Sequence, residues 1–228
     1  MVDAVLLEWD GVLADTSIAR RDALLRALAD EDVAWSVEAY DAHCAGLDVH
    51  HAAGMIIGRT RGDDPALVDL VVLRAGRAFT ERLARGVTLE PGAVEFLRAT
   101  EPRARLAIVS RASRAETDLF LRLSALDGMM ACVFTGDDVL QPPPSPELYD
   151  QAAAHLARTR GTRRERTVAL VNSTPAIRSA RSAGVHVLAV GTPAHVALDA
   201  DGAAPDLASL TLDELATLVG ITPSEHQT

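Results

Sequence analysis

Residues 4–15 read AVLLEWDGVLAD, and this stretch decides the class of the fold. A short apolar run leads into Glu8 and Asp10, and Gly11 follows directly. Short apolar runs predict buried strands when helical segments alternate with them along the chain. In open parallel sheets, ligands bind at the carboxyl ends of the strands. We therefore expect Glu8 and Asp10 to lie in a ligand site at the end of the first strand.

Four further apolar runs repeat this pattern along the chain. They cover residues 106–109, 133–135, 168–171 and 185–190. Segments with helical periodicity occur at residues 91–98, 114–126, 147–158 and 175–183. Strands that alternate with helices pair in parallel, and the crossovers between them are right-handed. The sequence therefore predicts an α/β fold with a Rossmann-like, doubly wound parallel sheet.

Residues 16–85 interrupt this alternation, because they favour helices throughout and contain no convincing strand. A segment of about 70 residues is too long for a loop inside a compact domain. The sequence predicts a helical cap domain at residues 16–85, inserted into a core domain formed by residues 1–15 and 86–228. The polar end of the chain, residues 220–228, is expected to fray.

The composition favours a compact, water-soluble protein, since 48% of the 228 residues are hydrophobic and 24% are charged. The formal net charge of −10 opposes binding to nucleic acid or to an anionic membrane, so neither partner is expected. No apolar run approaches the roughly 18 residues that a membrane-spanning helix needs, and no secretory leader is recognisable. Cys44 and Cys132 are expected to be free thiols in a cytoplasmic protein.

Seven stretches occur in an order and spacing that carry a family resemblance. They are EWDGVLADT at 8–16, PGA at 91–93, IVS at 108–110, TGDDV at 135–139, PPSPELY at 143–149, NSTPAI at 172–177 and AGV at 183–185. On these motifs the chain resembles the haloacid dehalogenase-like hydrolase superfamily, close to its capped phosphatase and β-phosphoglucomutase-like branch. The resemblance covers nearly the whole chain and implies a Rossmannoid core with a helical cap.

The resemblance also implies a phosphoryl-transfer chemistry with five roles. In the family, one aspartate attacks phosphorus, a second aspartate two residues later is the general acid and base, and a serine or threonine holds the phosphate. A lysine balances charge, and a late aspartate helps to bind Mg²⁺. Asp10 and Ser110 keep the family's residue types for the second aspartate and for the phosphate-holding hydroxyl. The nucleophile's position holds Glu8, and the late aspartate's position holds Asn172.

The position of the family's lysine holds an uncharged residue. An alignment on Tyr149 places Pro143 there, and a shift of two residues would place Gln141 there instead. All 22 basic residues are arginine, so the chain contains no lysine. Arg111 and Arg114 are the nearby candidates to compensate, although a planar guanidinium is not a simple substitute for an ammonium group.

Each of the three substitutions is expected to weaken phosphoryl transfer. Glu8 adds a methylene that moves the carboxylate by about 1.5 Å, and a displacement of about 1 Å can cost roughly 10²-fold in rate. Asn172 offers a neutral amide, whereas Mg²⁺ sheds water reluctantly without anionic ligands. Pro143 supplies no positive charge. A magnesium site made by Glu8, Asp10 and Asn172 is expected to be weak or absent, and no cofactor is expected.

The leading hypothesis is therefore a haloacid dehalogenase-like protein with a degenerate site. It would be inactive or nearly inactive as a phosphatase and would retain a role in binding a ligand or a protein. Gly11, Ser110 and Arg111 are the predicted anion-binding residues. The expected ligand is a small molecule or a phosphate-like anion in a cleft between core and cap. Ser110 could also cap the helix that follows it.

Two enzymatic hypotheses stay open, and Glu8 and Asp10 are the catalytic residues in both. One is a Mg²⁺-dependent phosphatase or phosphomutase that acts on a small phosphorylated metabolite with Glu8 as nucleophile. The other is an enzyme that uses Glu8 and Asp10 for acid and base catalysis without a metal. A pair of carboxyl groups can transfer protons without any phosphoenzyme.

Overall fold

The computed structural model describes residues 1–44, 47–141 and 143–221. The chain forms two compact units, which we call the core unit (Met1–Asp15 with Thr88–Thr228) and the cap unit (Thr16–Val87). Most of the predicted tail at residues 220–228 lies outside the described residues. Within the described part of the chain, no helix is both long and apolar enough to cross a membrane.

Within the described ranges, the core unit is built on one parallel sheet of six strands. They are β1 (Ala4–Leu7), β2 (Arg105–Val109), β3 (Met130–Phe134), β4 (Thr167–Val171), β5 (His186–Val190) and β6 (Gly202–Ala204). Their order is β3-β2-β1-β4-β5-β6, and every neighbouring pair is parallel. β1 lies inside the sheet, and all four of its residues are buried. The predicted α/β fold with a Rossmann-like parallel sheet is confirmed.

The sixth strand is absent from the sequence-based prediction. Gly202, Ala203 and Ala204 lack the β-branched and aromatic side chains that favour strands. Ala203 and Ala204 nevertheless pair with residues of β5. This strand therefore depends on the hydrogen-bonding edge that β5 offers rather than on a local preference.

In its described residues, the cap unit consists of four α-helices. They are α1 (Ser17–Ala29), α2 (Val37–His43), α3 (Val49–Thr60) and α4 (Pro65–Leu83). Ile56 of α3 and Val71 of α4 belong to the apolar core of this unit. The side chains of Ser36, Asp48 and Asp64 accept hydrogen bonds from main-chain N–H groups in the first turns of α2, α3 and α4. These residue types are typical of helix starts, so the three starts agree with local preference.

Among the residues that the structure describes, six α-helices belong to the core unit. They are α5 (Ala93–Thr100), α6 (Arg114–Ser124), α7 (Glu147–Arg160), α8 (Thr174–Ser182), α9 (Ala194–Ala197) and α10 (Leu212–Leu218). Leu148 and Tyr149 of α7 and Ile177 of α8 share one buried apolar cluster with Leu6 of β1 and Val171 of β4. Side chains alternate between the two faces of a strand, so α7 and α8 cover one face of the sheet.

Trp9 connects the end of β1 to α6. Its ring stacks on Phe120 with the centroids 4.6 Å apart, and its indole N–H donates to Thr117 Oγ1 at 3.2 Å. The side chain of Trp9 is fully buried. This packing fixes the backbone between Glu8 and Asp10, which are the two carboxyl residues of the predicted site.

Candidate functional site

The register of the sheet brings the predicted site residues to one edge. Leu7, the last residue of β1, is paired with β2 on one side and with β4 on the other. The main-chain N–H of Glu8 continues this pairing by donating to the carbonyl of Leu170 at 3.1 Å. Parallel strands end at the same edge of a sheet, so Glu8, Ser110 and Asn172 all lie at its carboxyl edge.

Glu8 is the most strongly perturbed carboxyl group at this edge. Only 5% of the surface of Glu8 is exposed, and its Oε2 accepts a hydrogen bond from the main-chain N–H of Asn172 at 3.2 Å. Burial raises the pKa of Glu8 to about 7, and the nearby negative charge of Asp10 acts in the same direction. The positive charge of Arg111 and the Asn172 N–H oppose this rise in the pKa. Glu8 and Asp10 are thus electrostatically coupled, as their spacing suggests.

Asn172 and Gly11 are in close contact. Gly11 has φ of +80°, and a Cβ at this position would lie 1.7 Å from Asn172 Nδ2. Only glycine leaves room for the amide and adopts this backbone conformation easily. Ser173, which precedes α8, has a buried Oγ with no hydrogen-bond partner in the described part of the chain. The loops after β1 and β4 therefore pack tightly. Beside them, the buried hydroxyl group of Ser173 can still form a hydrogen bond.

Ser110 is buried, with 3% of its surface exposed, at the end of β2. Its Oγ accepts a hydrogen bond from the main-chain N–H of Ala112 at 3.1 Å, so the hydroxyl hydrogen remains free to point elsewhere. The helix-capping interpretation of Ser110 is wrong, because Ser113 is the N-cap of α6 and its side chain accepts a hydrogen bond from the N–H of Glu116. The cap sits at the residue directly before the helix, whereas Ser110 lies three residues earlier.

Gly136 holds the turn that carries Arg111, and the sequence analysis missed this role. The main-chain N–H of Gly136 donates to the carbonyl of Ala112 at 3.1 Å. A Cβ at Gly136 would lie 2.6 Å from the main-chain oxygen of Arg111. The signal available in the sequence was the glycine in the motif TGDDV, directly after β3. This close approach fixes the backbone of the turn after β2.

The two arginines that were candidates to compensate for the absent lysine have different interactions in the structure. Arg114 Nη2 donates to Asp138 Oδ2 at 2.5 Å and to the main-chain oxygen of Val133 at 3.1 Å. Arg114, one of the two candidates, therefore has its guanidinium engaged by Asp138 and by the main chain. Arg111 instead lowers the pKa of Glu8, so its positive charge acts on the buried carboxyl group.

Tyr149 is a second residue whose place in the site only the structure reveals. It is 1% exposed on α7, and burial and the charge of Glu8 both raise its pKa, whereas Arg111 opposes this rise. Its phenol therefore lies in the electrostatic environment of the buried carboxyl group. Pro143 is partly buried in the segment before α7 and brings no charged group.

The residues at this edge do not fit a magnesium ion. The described residues contain no group of three or more His, Cys, Asp and Glu side chains that could hold a metal. One oxygen of Glu8 is bound to the N–H of Asn172, and the charge of Arg111 acts on the same carboxylate. Asn172 contributes a neutral amide where Mg²⁺ prefers anionic oxygen ligands. The donor chemistry therefore differs from that of a magnesium site.

Comparisons with known proteins agree with this architecture. Residues 5–190 match the sequence profile of the haloacid dehalogenase-like hydrolases. Protein CbbY of Rhodobacter capsulatus is 29% identical over 89% of this chain and 90% of its own length.

Two crystal structures of CbbY from Rhodobacter sphaeroides, one with phosphate and one of a variant with xylulose-(1,5)bisphosphate, are similar in fold. Each is 24% identical, with a TM-score of 0.78 over 94% of this chain and 99% of the other. The β-phosphoglucomutase of Clostridium difficile is 13% identical, with a TM-score of 0.79 over 96% of this chain and 98% of its own. The match over residues 5–190 places this chain in the haloacid dehalogenase-like hydrolase family.

Proposed function

We propose that this chain binds a small phosphate-like oxyanion at the carboxyl edge of its core sheet and is silent, or nearly silent, as a phosphatase. One observation carries the proposal. The carboxyl group of Glu8 is buried and bound to the main chain of Asn172, so it is part of the site's packing rather than a free nucleophile.

The anion-binding part of the proposal rests on Ser110 and Arg111. Ser110 has a hydroxyl hydrogen to donate. Arg111 brings a guanidinium whose positive charge lowers the pKa of Glu8 at the same edge of the sheet. Arginine binds oxyanions through a planar pair of N–H groups. Gly11 has φ of +80° and no side chain, so the loop after β1 can lie close to Asn172. The phosphate and sugar bisphosphate that CbbY binds support an oxyanion as the ligand here.

The silent-phosphatase part of the proposal rests on three residues. Glu8 is longer than the family's nucleophile, Pro143 brings no cation, and Asn172 brings no negative charge. A positional error of about 1 Å can cost roughly 10²-fold in rate. The loss of one preorganised stabilising group typically costs about 3 kcal/mol of barrier. These costs are not additive, because such residues act as one unit, but all three lower the rate of phosphoryl transfer.

Acid and base catalysis without a metal is a second candidate function. The observation in its favour is the pKa of Glu8, about 7, next to the carboxyl group of Asp10. General acid–base catalysis is most efficient when the pKa of the group lies near the working pH. This function would use the same two carboxyl groups without a phosphorylated intermediate.

One set of assays separates these functions. A panel of phosphate monoesters is incubated with the protein in Mg²⁺ and in chelator, and binding of inorganic phosphate is measured in parallel. We expect phosphate binding without turnover, and we expect Ser110→Ala and Arg111→Gln to weaken the binding. Turnover that stops with chelator and in Glu8→Gln would instead establish a phosphatase. Turnover of a substrate other than a phosphate monoester, in the presence of a chelator, would support acid–base catalysis.

A further inference from the structure

We propose that the open edge of β3 is a surface on which a second copy of this chain can pair its own β3, and that the side chain of Arg114 blocks this pairing. β3 is the first strand in the order of the sheet, so β2 is its one neighbour among the described strands. An edge strand presents unpaired main-chain N–H and C=O groups, to which the strand of another chain can bond.

The side chains of β3 make this edge attractive to another strand. The strand reads MACVF, so all five of its residues are apolar, and each of them is only partly buried. Natural proteins protect exposed apolar edge strands, because identical chains otherwise associate edge to edge. The open edge of β3 therefore needs a protecting group.

The register of β3 identifies the main-chain groups that face outward. The N–H of Ser110 donates to the carbonyl of Phe134 at 3.0 Å, so the main-chain groups of Phe134 point toward β2. Successive residues of a strand direct these groups to opposite sides. The N–H and the carbonyl of Val133 therefore point away from the sheet, where a second strand would bond to them.

Arg114 occupies this outward carbonyl. Its Nη2 donates to the main-chain oxygen of Val133 at 3.1 Å and to Asp138 Oδ2 at 2.5 Å. The same oxygen of Asp138 accepts from the N–H of Thr135 at 2.7 Å and from its Oγ1 at 2.9 Å. The main-chain N–H of Arg114 donates to Asp137 Oδ2 at 2.8 Å. The two aspartates of the motif TGDDV thus hold Arg114 against the edge strand.

The place of Arg114 on α6 supports this role. Arg114 is the first residue of α6, where a positive charge opposes the helix dipole and so does not stabilise the helix. A charged side chain over the edge is one of the means that protect edge strands. A second means is present on the same strand, because the pairing with β2 shifts in register and leaves out Ala131.

The test removes the guanidinium and measures self-association of the whole chain. The weight-average mass of Arg114→Ala and of the wild-type protein is followed by light scattering over a range of concentrations. We expect the mass of Arg114→Ala to rise toward twice its value in dilute solution, over a range in which the wild-type mass stays constant. Amide hydrogen exchange in residues 130–134 should slow at least about threefold over the same range in Arg114→Ala alone.

Two variants make the result specific. Arg122→Ala removes an exposed arginine from the same helix, and it should behave as the wild-type protein does. Val133→Pro, added to Arg114→Ala, removes the outward N–H, and it should return the mass to the wild-type value because proline is tolerated on edge strands.

Asp138→Asn gives an independent reading if Arg114→Ala does not fold. It keeps a side-chain oxygen for the N–H of Thr135 and removes the charge that holds Arg114, so it should also self-associate, although more weakly than Arg114→Ala.

Three outcomes would overturn the proposal. One is a folded Arg114→Ala, or failing that a folded Asp138→Asn, that keeps the wild-type mass at every concentration. Another is self-association without slower exchange in residues 130–134, because the second copy would then bind elsewhere. The last is a wild-type protein whose residues 130–134 become protected as strongly as those of Arg114→Ala, because Arg114 would then block nothing.

Discussion

The main-chain N–H of Asn172 donates a hydrogen bond to Oε2 of Glu8 across 3.2 Å. This contact joins the loop after β4 to the end of β1, two strands that lie side by side in the sheet. The carboxyl group of Glu8 therefore links these two strand ends. Because the same carboxyl group is buried, the stability of the fold depends on its protonation.

The first prediction concerns the dependence of stability on pH. Glu8 has an ordinary pKa of 4.5 and a pKa of about 7 in the folded protein, so the folded state binds this proton more tightly. The stabilisation is complete below about pH 4.5 and is lost as the pH rises through about 7. Relative to Glu8→Gln, the free energy of unfolding of the wild-type protein should fall by roughly 3 kcal/mol across this window. Urea unfolding at a series of pH values measures it.

Glu101→Gln is the control, because Glu101 is exposed at the end of α5. Its free energy of unfolding should follow the wild-type pH dependence. If the curves of Glu8→Gln and wild type run parallel from pH 4.5 to 7, burial does not raise the pKa of Glu8.

The second prediction concerns Gly11. In Gly11→Ala the new Cβ would meet Asn172 Nδ2 at 1.7 Å on a backbone with φ of +80°. We expect a loss of roughly 3 kcal/mol in the free energy of unfolding, because the clash adds to the strain. Gly161→Ala separates these causes, since Gly161 has φ of +69° and nothing within 4 Å of a Cβ. Its cost should be only about 1 to 2 kcal/mol.

A double-mutant cycle then tests the contact itself. Asn172→Ala removes the amide that a Cβ on Gly11 would strike. Residues in contact show coupling energies of about 0.5 to 3 kcal/mol in such cycles. Gly11→Ala should therefore cost less in the Asn172→Ala background than in the wild type. Strictly additive effects would show that the two residues do not touch.

The third prediction concerns the turn that carries Arg111. Gly136→Ala places a Cβ 2.6 Å from the main-chain oxygen of Arg111, so the turn must shift. We expect binding of inorganic phosphate, measured by calorimetry, to weaken about tenfold, as a displacement of about 1 Å in a preorganised site can. Gly128→Ala is the matched control, since a Cβ there has nothing within 4 Å. Equal phosphate affinity in the two variants would show that the turn does not position the anion.

The fourth prediction reverses the departures from the family pattern. Glu8→Asp, Pro143→Lys and Asn172→Asp together should create Mg²⁺-dependent hydrolysis of phosphate monoesters. The triple variant restores the nucleophile's length, a cation and an anionic metal ligand. The double variant without Pro143→Lys is the control, and it should bind Mg²⁺ but turn over more slowly. A triple variant that folds normally and still fails to bind Mg²⁺ would show that the alignment of these positions is wrong.

The sequence predicted the parallel sheet and three of the residues at its carboxyl edge. Runs of buried aliphatic residues alternate with helical segments, so β1, β2 and β4 could be placed, and Glu8, Ser110 and Asn172 follow them. β6 could not be predicted, because Gly and Ala have little preference for strands and this strand depends on its partner β5. The capping role proposed for Ser110 belongs to Ser113, which only the true start of α6 could decide.

The inventory of chemical groups was determined by the sequence alone. A chain with 22 arginines and no lysine has that inventory in any conformation. Tertiary structure decided which groups interact. Arg114 is bound to Asp138, whereas the positive charge of Arg111 lowers the pKa of Glu8. Composition counts charges, but their interaction energy depends on distance and burial, and these exist only in the folded chain.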